Sequence, residues 1–379
     1  MAVEVDPLSD VQLCAHLSPD SRGSRLARKV DLESSSSSQL TIAESLGYCL
    51  SRSHFSGPYQ MARSPIFEAD RPLFSGHETF PVRYGWLKKA YDAVAVSKGD
   101  SANKSIFASD DAIAEFGVGK NMVGSIRHWA TSCGVIAEEI NSGQLKTTRL
   151  GDFLFGPKGV DPYLENPSSL WLLHWHLCCG EPSKGMKTTW YWVFNHFTGA
   201  TFAREDLVEG LMKLASSLNW ARVSKTTVQR DVECFVRTYA TRPTGIAGAA
   251  EDSLESALAE LGLIRGLRGH HQLVRGAKRT LPMEVFVYAL NSFWTRYSTT
   301  NTLSFEAIVH EPGSPGRVFL LDEGDLADRL SEIGGLTNGV FEWSETAGLK
   351  QVLRTRTMDE SEAVDLLRGT YESQPLGTR

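Results

Sequence analysis

Apolar residues recur at helical spacing along most of this chain, and the runs break at glycine, proline and serine. At about 100° per residue, Met122, Val123, Ile126, Trp129, Ala130 and Cys133 share one face of the segment from Lys120 to Cys133. Lys120, Asn121, Gly124, Ser125, Arg127, His128, Thr131 and Ser132 share the other. A short helix is expected before it over Asp110 to Phe116, capped by Ser109 or Asp110. Gly117 to Gly119 supply the turn between them, where a positive φ is cheap. Gly134 ends the longer helix. Val135 to Ile140 and Gln144 to Thr148 then read as two strands around the tip Asn141-Ser142-Gly143. Asp110 to Leu150 therefore reads as a winged helix-turn-helix, with Lys146 and Arg149 giving the wing positive charge.

Similar patterns follow. Trp86, Leu87, Ala90, Tyr91 and Val94 form a helical stripe, with Pro81 expected in the first turn of that helix. Phe202 to Leu218 is amphipathic. Ser224 caps a helix running to about Tyr239, with Val228, Val232, Phe235, Val236 and Tyr239 inward and Thr226, Arg230, Glu233 and Arg237 outward. The start of that helix echoes Gly119 to Val123, suggesting a second helix-turn-helix. Leu281 to Tyr297 reads as a buried helix. Helices from Ser304 to Val309 and Asp325 to Ile333, with strands at Val318 to Leu321 and Val340 to Trp343 and the segment Leu349 to Arg354, repeat the winged-helix grammar.

The expected fold is mainly α with small β hairpins, built from tandem winged helix-turn-helix-like modules. The expected division is a disordered extension over 1–66, a winged domain over 67–156, a helical domain over 157–245, a winged-helix-like domain over 246–356 and a tail over 357–379. The first 66 residues are poor in large apolar side chains and carry the serine run Ser34 to Ser38.

Charge changes this picture in one respect. The net charge is −6, so binding to nucleic acid would have to rest on cations gathered locally. Six cysteines without CxxC spacing fit a reducing cytoplasm. No apolar run of membrane-spanning length is present, and no membrane partner is expected.

Asn can grip adenine, Arg guanine or phosphate, and Ser and Lys phosphate. The candidate DNA contacts are therefore Lys120, Asn121, Ser125, Arg127 and His128, with Lys146 and Arg149 on the wing and Thr226 and Arg230 on the second helix. Arg265, Arg268, His270, His271, Arg275, Lys278 and Arg279 form the most basic stretch. Arg275 and Lys278 are its chosen phosphate contacts, and a solvated loop is the alternative.

His77, Glu78 and Arg83 cluster near an expected helix start, where a phosphate could sit. They are the candidate catalytic trio, with His77 as base or acid, Glu78 as metal ligand or orienter and Arg83 as phosphate clamp. The alternative is a loop locked by hydrogen bonds. His174, His176, Cys178 and Cys179 are atom types that zinc accepts, but they sit in a core-like run that favours hydrogen-bonded histidines in a buried helix. Asp231 and Glu233 point apart at helical spacing and read as surface acids.

Several separated motifs carry a resemblance: GHETFPVRYGWLKK, the segment Gly119 to Trp129, LGDFLFG, SKTTVQRDVECFVRTY, ELGLIR, EPGSPGRVFLLDE and ETAGLKQVLR. Together they resemble the SspB-like family of DNA phosphorothioation systems, over about residues 67–356. The resemblance implies a DNA nickase component working beside a cysteine desulfurase, a sulfur-transfer enzyme and an ATPase, with a divalent metal such as magnesium if nicking occurs. It supplies no catalytic motif to carry onto these positions. The function expected is a DNA-binding component of a phosphorothioate modification and antiviral defence system, nicking DNA or presenting it for sulfur insertion. A non-catalytic winged-helix adaptor and a transcription regulator are the alternatives.

Overall fold

A computed structural model describes residues 72–97, 105–139, 142–180, 187–220, 222–240 and 256–372. The expected extension over 1–66, the tip residue Asn141 and the end of the tail lie outside them. The described chain is mostly helical, with small antiparallel sheets.

Helix α1 (Trp86–Val96) buries Trp86, Leu87, Ala90, Tyr91 and Val94, the stripe read from spacing. It begins at Trp86, five residues after Pro81, and the φ of 79° at Gly85 turns the chain into it. The loop carrying His77 is thus not a helix N-terminus. Helix α2 (Ala112–Phe116) ends at Gly117, which takes φ 63°. Helix α3 (Lys120–Ser132) follows, then strands β1 (Ile136–Glu138) and β2 (Leu145–Thr147), paired antiparallel. The hairpin packs on α1 and α3. Thr148 caps α4 (Arg149–Phe155) by accepting from the Gly151 amide, so Arg149 opens a helix rather than ending the wing.

The centre is α5 (Pro167–Cys178) and α6 (Thr188–Asn195), apolar almost all round and nearly wholly buried. His174 sits between them. Its Nε2 lies 2.8 Å from the Val318 carbonyl and its Nδ1 2.8 Å from the Tyr239 hydroxyl. A carbonyl only accepts, so Nε2 carries the proton and Nδ1 accepts from Tyr239. Burial pushes the pKa of His174 down to about 4.

Strand β3 (Thr201–Phe202) leads into α7 (Arg204–Ser217) and α8 (Lys225–Tyr239), which pack together. Ser224 caps α8 by accepting from the Thr227 amide. Strands β4 (Ile264–Gly266) and β5 (His271–Leu273) form a hairpin, and β5 also pairs with β3, giving the order β3-β5-β4. This pairing crosses the boundary expected near residue 245.

Helix α9 (Met283–Tyr297) precedes β6 (Thr302–Ser304), α10 (Phe305–His310), α11 (Pro315–Val318), α12 (Glu323–Leu336), β7 (Phe341–Thr346) and β8 (Leu349–Arg354). The sheet order is β6-β8-β7. The strand expected at Val318 to Leu321 is instead the end of α11 and a turn. Ser314 caps α11 and Pro315 occupies its first turn, which fixes helix there. Residues expected as tail form α13 (Glu360–Glu372), which packs on α9 and buries Ala363, Val364 and Leu367.

Candidate nucleic-acid interface

The loop from Gly76 to Thr79 bends sharply. Gly76 has φ 106°, and Glu78 and Thr79 take left-handed φ of 46° and 64°, conformations that side-chain-bearing residues resist. The bend presses the loop between α3 and α8. A Cβ at Gly76 would lie 2.5 Å from His128 Nδ1, so glycine is what lets the loop approach α3. Ser125 on α3 donates to the His77 carbonyl at 2.9 Å, and an Arg237 Nη on α8 donates to the Thr79 carbonyl at 3.3 Å.

His77 itself points inward and is 3 % exposed. Its Nδ1 accepts from the Thr79 amide at 3.0 Å, so the proton is on Nε2, which donates to Asp231 Oδ1 at 2.8 Å. Thr189 on α6 donates to the other oxygen of Asp231. Both ring nitrogens of His77 are thus committed, and no face of the ring is open to act as base or acid. Asp231 is 1 % exposed, not the surface acid its neighbour Glu233 is. It lies three residues after Val228 and four before Phe235, on the buried stripe. Its charge is offset by Lys187, whose pKa burial lowers to about 8 against the opposing pull of Asp231. Arg83 is buried too, with its guanidinium stacked over Phe80 and Trp86 at 5.7 and 5.4 Å. Of the trio only Glu78 reaches solvent, with its side chain lying near Gly124 of α3.

The polar side of α3 is divided. Lys120, Asn121 and Arg127 are exposed. Ser125 is fully buried under His77. His128 packs edge-on against His77 and Trp129. Burial, reinforced by Lys187 and His77, holds it neutral by lowering its pKa well below the ordinary range. Arg127 pairs with Glu138 at 3.0 Å, Lys146 with Glu139 at 2.5 Å and Arg149 with Glu360 at 3.6 Å. These pairs are exposed and weak, so a phosphate could displace the acid. Thr226 and Arg230 lie exposed on α8. A groove of about 530 Å³ between α7 and α8 sets Arg204 and Lys225 against Glu205, Glu209 and Glu233, so the acids outnumber the cations there.

Arg275 is exposed, but Lys278 is not. Its ammonium donates to the carbonyls of Val274, Gly276 and Leu320 at 3.0, 2.7 and 3.2 Å, and burial lowers its pKa to about 8. It holds the chain together after β5 and offers nothing to a phosphate. Sequence reasoning missed Asp231, Thr189 and Lys187 as partners of the loop. The signal for Asp231 was its place among apolar residues on the α8 wheel.

Residues 74–371 match the family described as "Protein of unknown function (DUF4007)". The chain belongs to this family. Two solved structures are similar to it, both SspB. One, described as a magnesium ion-bound SspB crystal structure, is 29% identical with a TM-score of 0.70, covering 82% of this chain and 92% of that one. The other, an SspB crystal structure, has the same identity and TM-score over 83% and 93%. The family here is thus SspB-like. No curated protein matches.

The magnesium of that SspB raises the question of a cradle in this DUF4007 member. Among the described residues no group of three or more His, Cys, Asp or Glu is placed to hold a metal ion. Both oxygens of Asp231 are taken, Glu233 faces outward, and the histidines of α5 bond to Tyr239, Val318 and Tyr288. These residues do not fit a magnesium site. No helix among the described residues is long and apolar enough to cross a membrane.

Proposed function

We propose that this chain is the DNA-binding component of a DNA phosphorothioate modification and defence system, holding duplex DNA for partner enzymes that insert sulfur. The observation that carries the reading is a repeated arrangement of helices followed by a hairpin. Helices α1 to α3 lead into β1-β2. Strand β3, α7 and α8 lead into β4-β5. Strand β6, α10, α11 and α12 lead into β7-β8, and the two three-stranded sheets share the order first, third, second. We read each as a winged helix-turn-helix, three in tandem. In the first, Lys120 and Asn121 stand open at the start of α3, the composition that meets phosphate and base edges.

The likeness to SspB supports the phosphorothioation setting, and with it a cysteine desulfurase, a sulfur-transfer enzyme and an ATPase as partners. The DNA contacts we retain are Lys120, Asn121, Arg127, Lys146, Arg149, Thr226, Arg230 and Arg275. Ser125, His128 and Lys278 act instead as internal supports.

Nicking is the second reading, favoured by the magnesium bound to the similar SspB. The burial of His77 and Arg83 weighs against that trio as its chemistry and favours presentation of DNA. A fluorescence anisotropy titration of the full chain with labelled duplex tests the main reading. Binding that weakens steeply with salt supports it, and no binding at low salt refutes it.

A further inference from the structure

The three hairpins differ in how their charges are balanced. On β1-β2, Lys146 is tied to Glu139, and Glu138 reaches back to Arg127. On β7-β8, Lys350 lies 3.7 Å from Glu345. Between Ile264 and Leu273 on β4-β5 there is no aspartate or glutamate at all. Arg265, Arg268 and His270 are exposed there. Glu260, the acid next before it in the chain, accepts a 2.6 Å hydrogen bond from the Tyr84 hydroxyl.

The tip is also rigid and carries an apolar point. The Leu267 amide donates to the His270 carbonyl at 2.8 Å, closing a two-residue turn in which Gly269 takes φ 75°. At the base, His271 stacks on Phe202 with ring centroids 5.3 Å apart. Leu267 stands at the start of that turn, 47 % exposed, with cations on both sides. An apolar side chain held out between cations suits a polyanion with an apolar interior that can be opened. Duplex DNA is such a partner, with phosphates outside and stacked bases within.

We infer that the β4-β5 hairpin enters a groove of duplex DNA, setting Arg265 and Arg268 on the phosphates and wedging Leu267 against the base stack. This rests on the DNA-binding reading above. It adds that the bound duplex is locally unstacked, and that the second hairpin does this rather than the first.

The experiment uses the full chain and a fluorescein-labelled duplex carrying 2-aminopurine beside TA steps, which unstack most readily. Wild-type protein raises 2-aminopurine fluorescence on binding. Leu267→Ala still binds by anisotropy but loses that rise, and Leu267→Met retains it. Arg265→Ala and Arg268→Ala each make the plot of log affinity against log salt shallower by roughly 0.9, one phosphate contact apiece. The hairpin inference is overturned if wild type binds without the rise, if Leu267→Ala still shows it, or if both arginine variants keep the wild-type salt slope. Failure of wild type to bind at all would overturn the DNA-binding reading itself, so the two failures are told apart by anisotropy alone.

Discussion

His77 Nε2 donates to Asp231 Oδ1 at 2.8 Å, joining the loop before α1 to α8 across 154 positions of sequence. Thr189 fills the other carboxylate oxygen and Lys187 contributes positive charge nearby. The loop thereby ties α8 to α3, whose Ser125 donates to the His77 carbonyl, and so fixes how α3 is presented.

Breaking that pair should destabilise the fold rather than merely disable the protein. His77→Ala leaves the Asp231 carboxylate buried without its main partner, at a cost of about 3–5 kcal/mol. Urea unfolding followed by circular dichroism reads this directly. A loss under about 1 kcal/mol would mean that the His77–Asp231 contact is not the support described here.

The left-handed loop makes a second prediction. Thr79 is β-branched at φ 64°, while the two hydrogen bonds made there use its backbone amide and carbonyl. Thr79→Gly keeps those bonds and removes the strain, so stability rises by about 1 kcal/mol. A lower melting temperature in this variant would show the side chain to be needed.

Stability should fall in acid through His174. Its folded pKa is about 4, against 6.5 when exposed in the unfolded chain. Between these values the unfolded chain binds more protons, so the contribution is complete above 6.5 and is lost as pH falls through 4. The loss is about 3 kcal/mol at most, because burial penalises the charged ring. His196, lowered to about 4 by burial, acts in the same direction. Urea midpoints at about pH 7 and about pH 4.5 should differ less for His174→Gln than for wild type. An equal fall in both would remove His174 as the cause.

A plasmid-relaxation assay with magnesium separates presentation from nicking. Among His77, Glu78 and Arg83, only Glu78 is exposed. The presentation reading expects no nicked circles from wild type. If wild type does nick and Glu78→Ala abolishes it in a folded protein, the chemistry belongs to that loop and nicking replaces presentation.

Much of this was legible in the chain. The stripe of α3, the glycine turn before it and the Ser224 cap follow from local spacing and survive packing. The buried histidine of α5 was also readable, because its neighbours are apolar on every side. The division of α3's polar face was not. Ser125 and His128 meet a loop some fifty positions earlier, and only the tertiary approach at Gly76 brings it there. Asp231 was misplaced because acids are rarely buried, and the partners that make burial tolerable lie on other elements. Lys278 looked like a free cation for the converse reason, since the third of its carbonyls comes from Leu320.

The central claim is that this protein grips duplex DNA through cations that stand open on its surface. The most direct test is anisotropy of a labelled duplex with the full chain over a salt series, comparing wild type with the Lys120→Ala, Asn121→Ala double variant. Wild type is expected to bind at low salt and lose affinity steeply as salt rises, and the variant to bind more weakly with a slope shallower by roughly 0.9. Binding that ignores salt, or a variant indistinguishable from wild type, would contradict it.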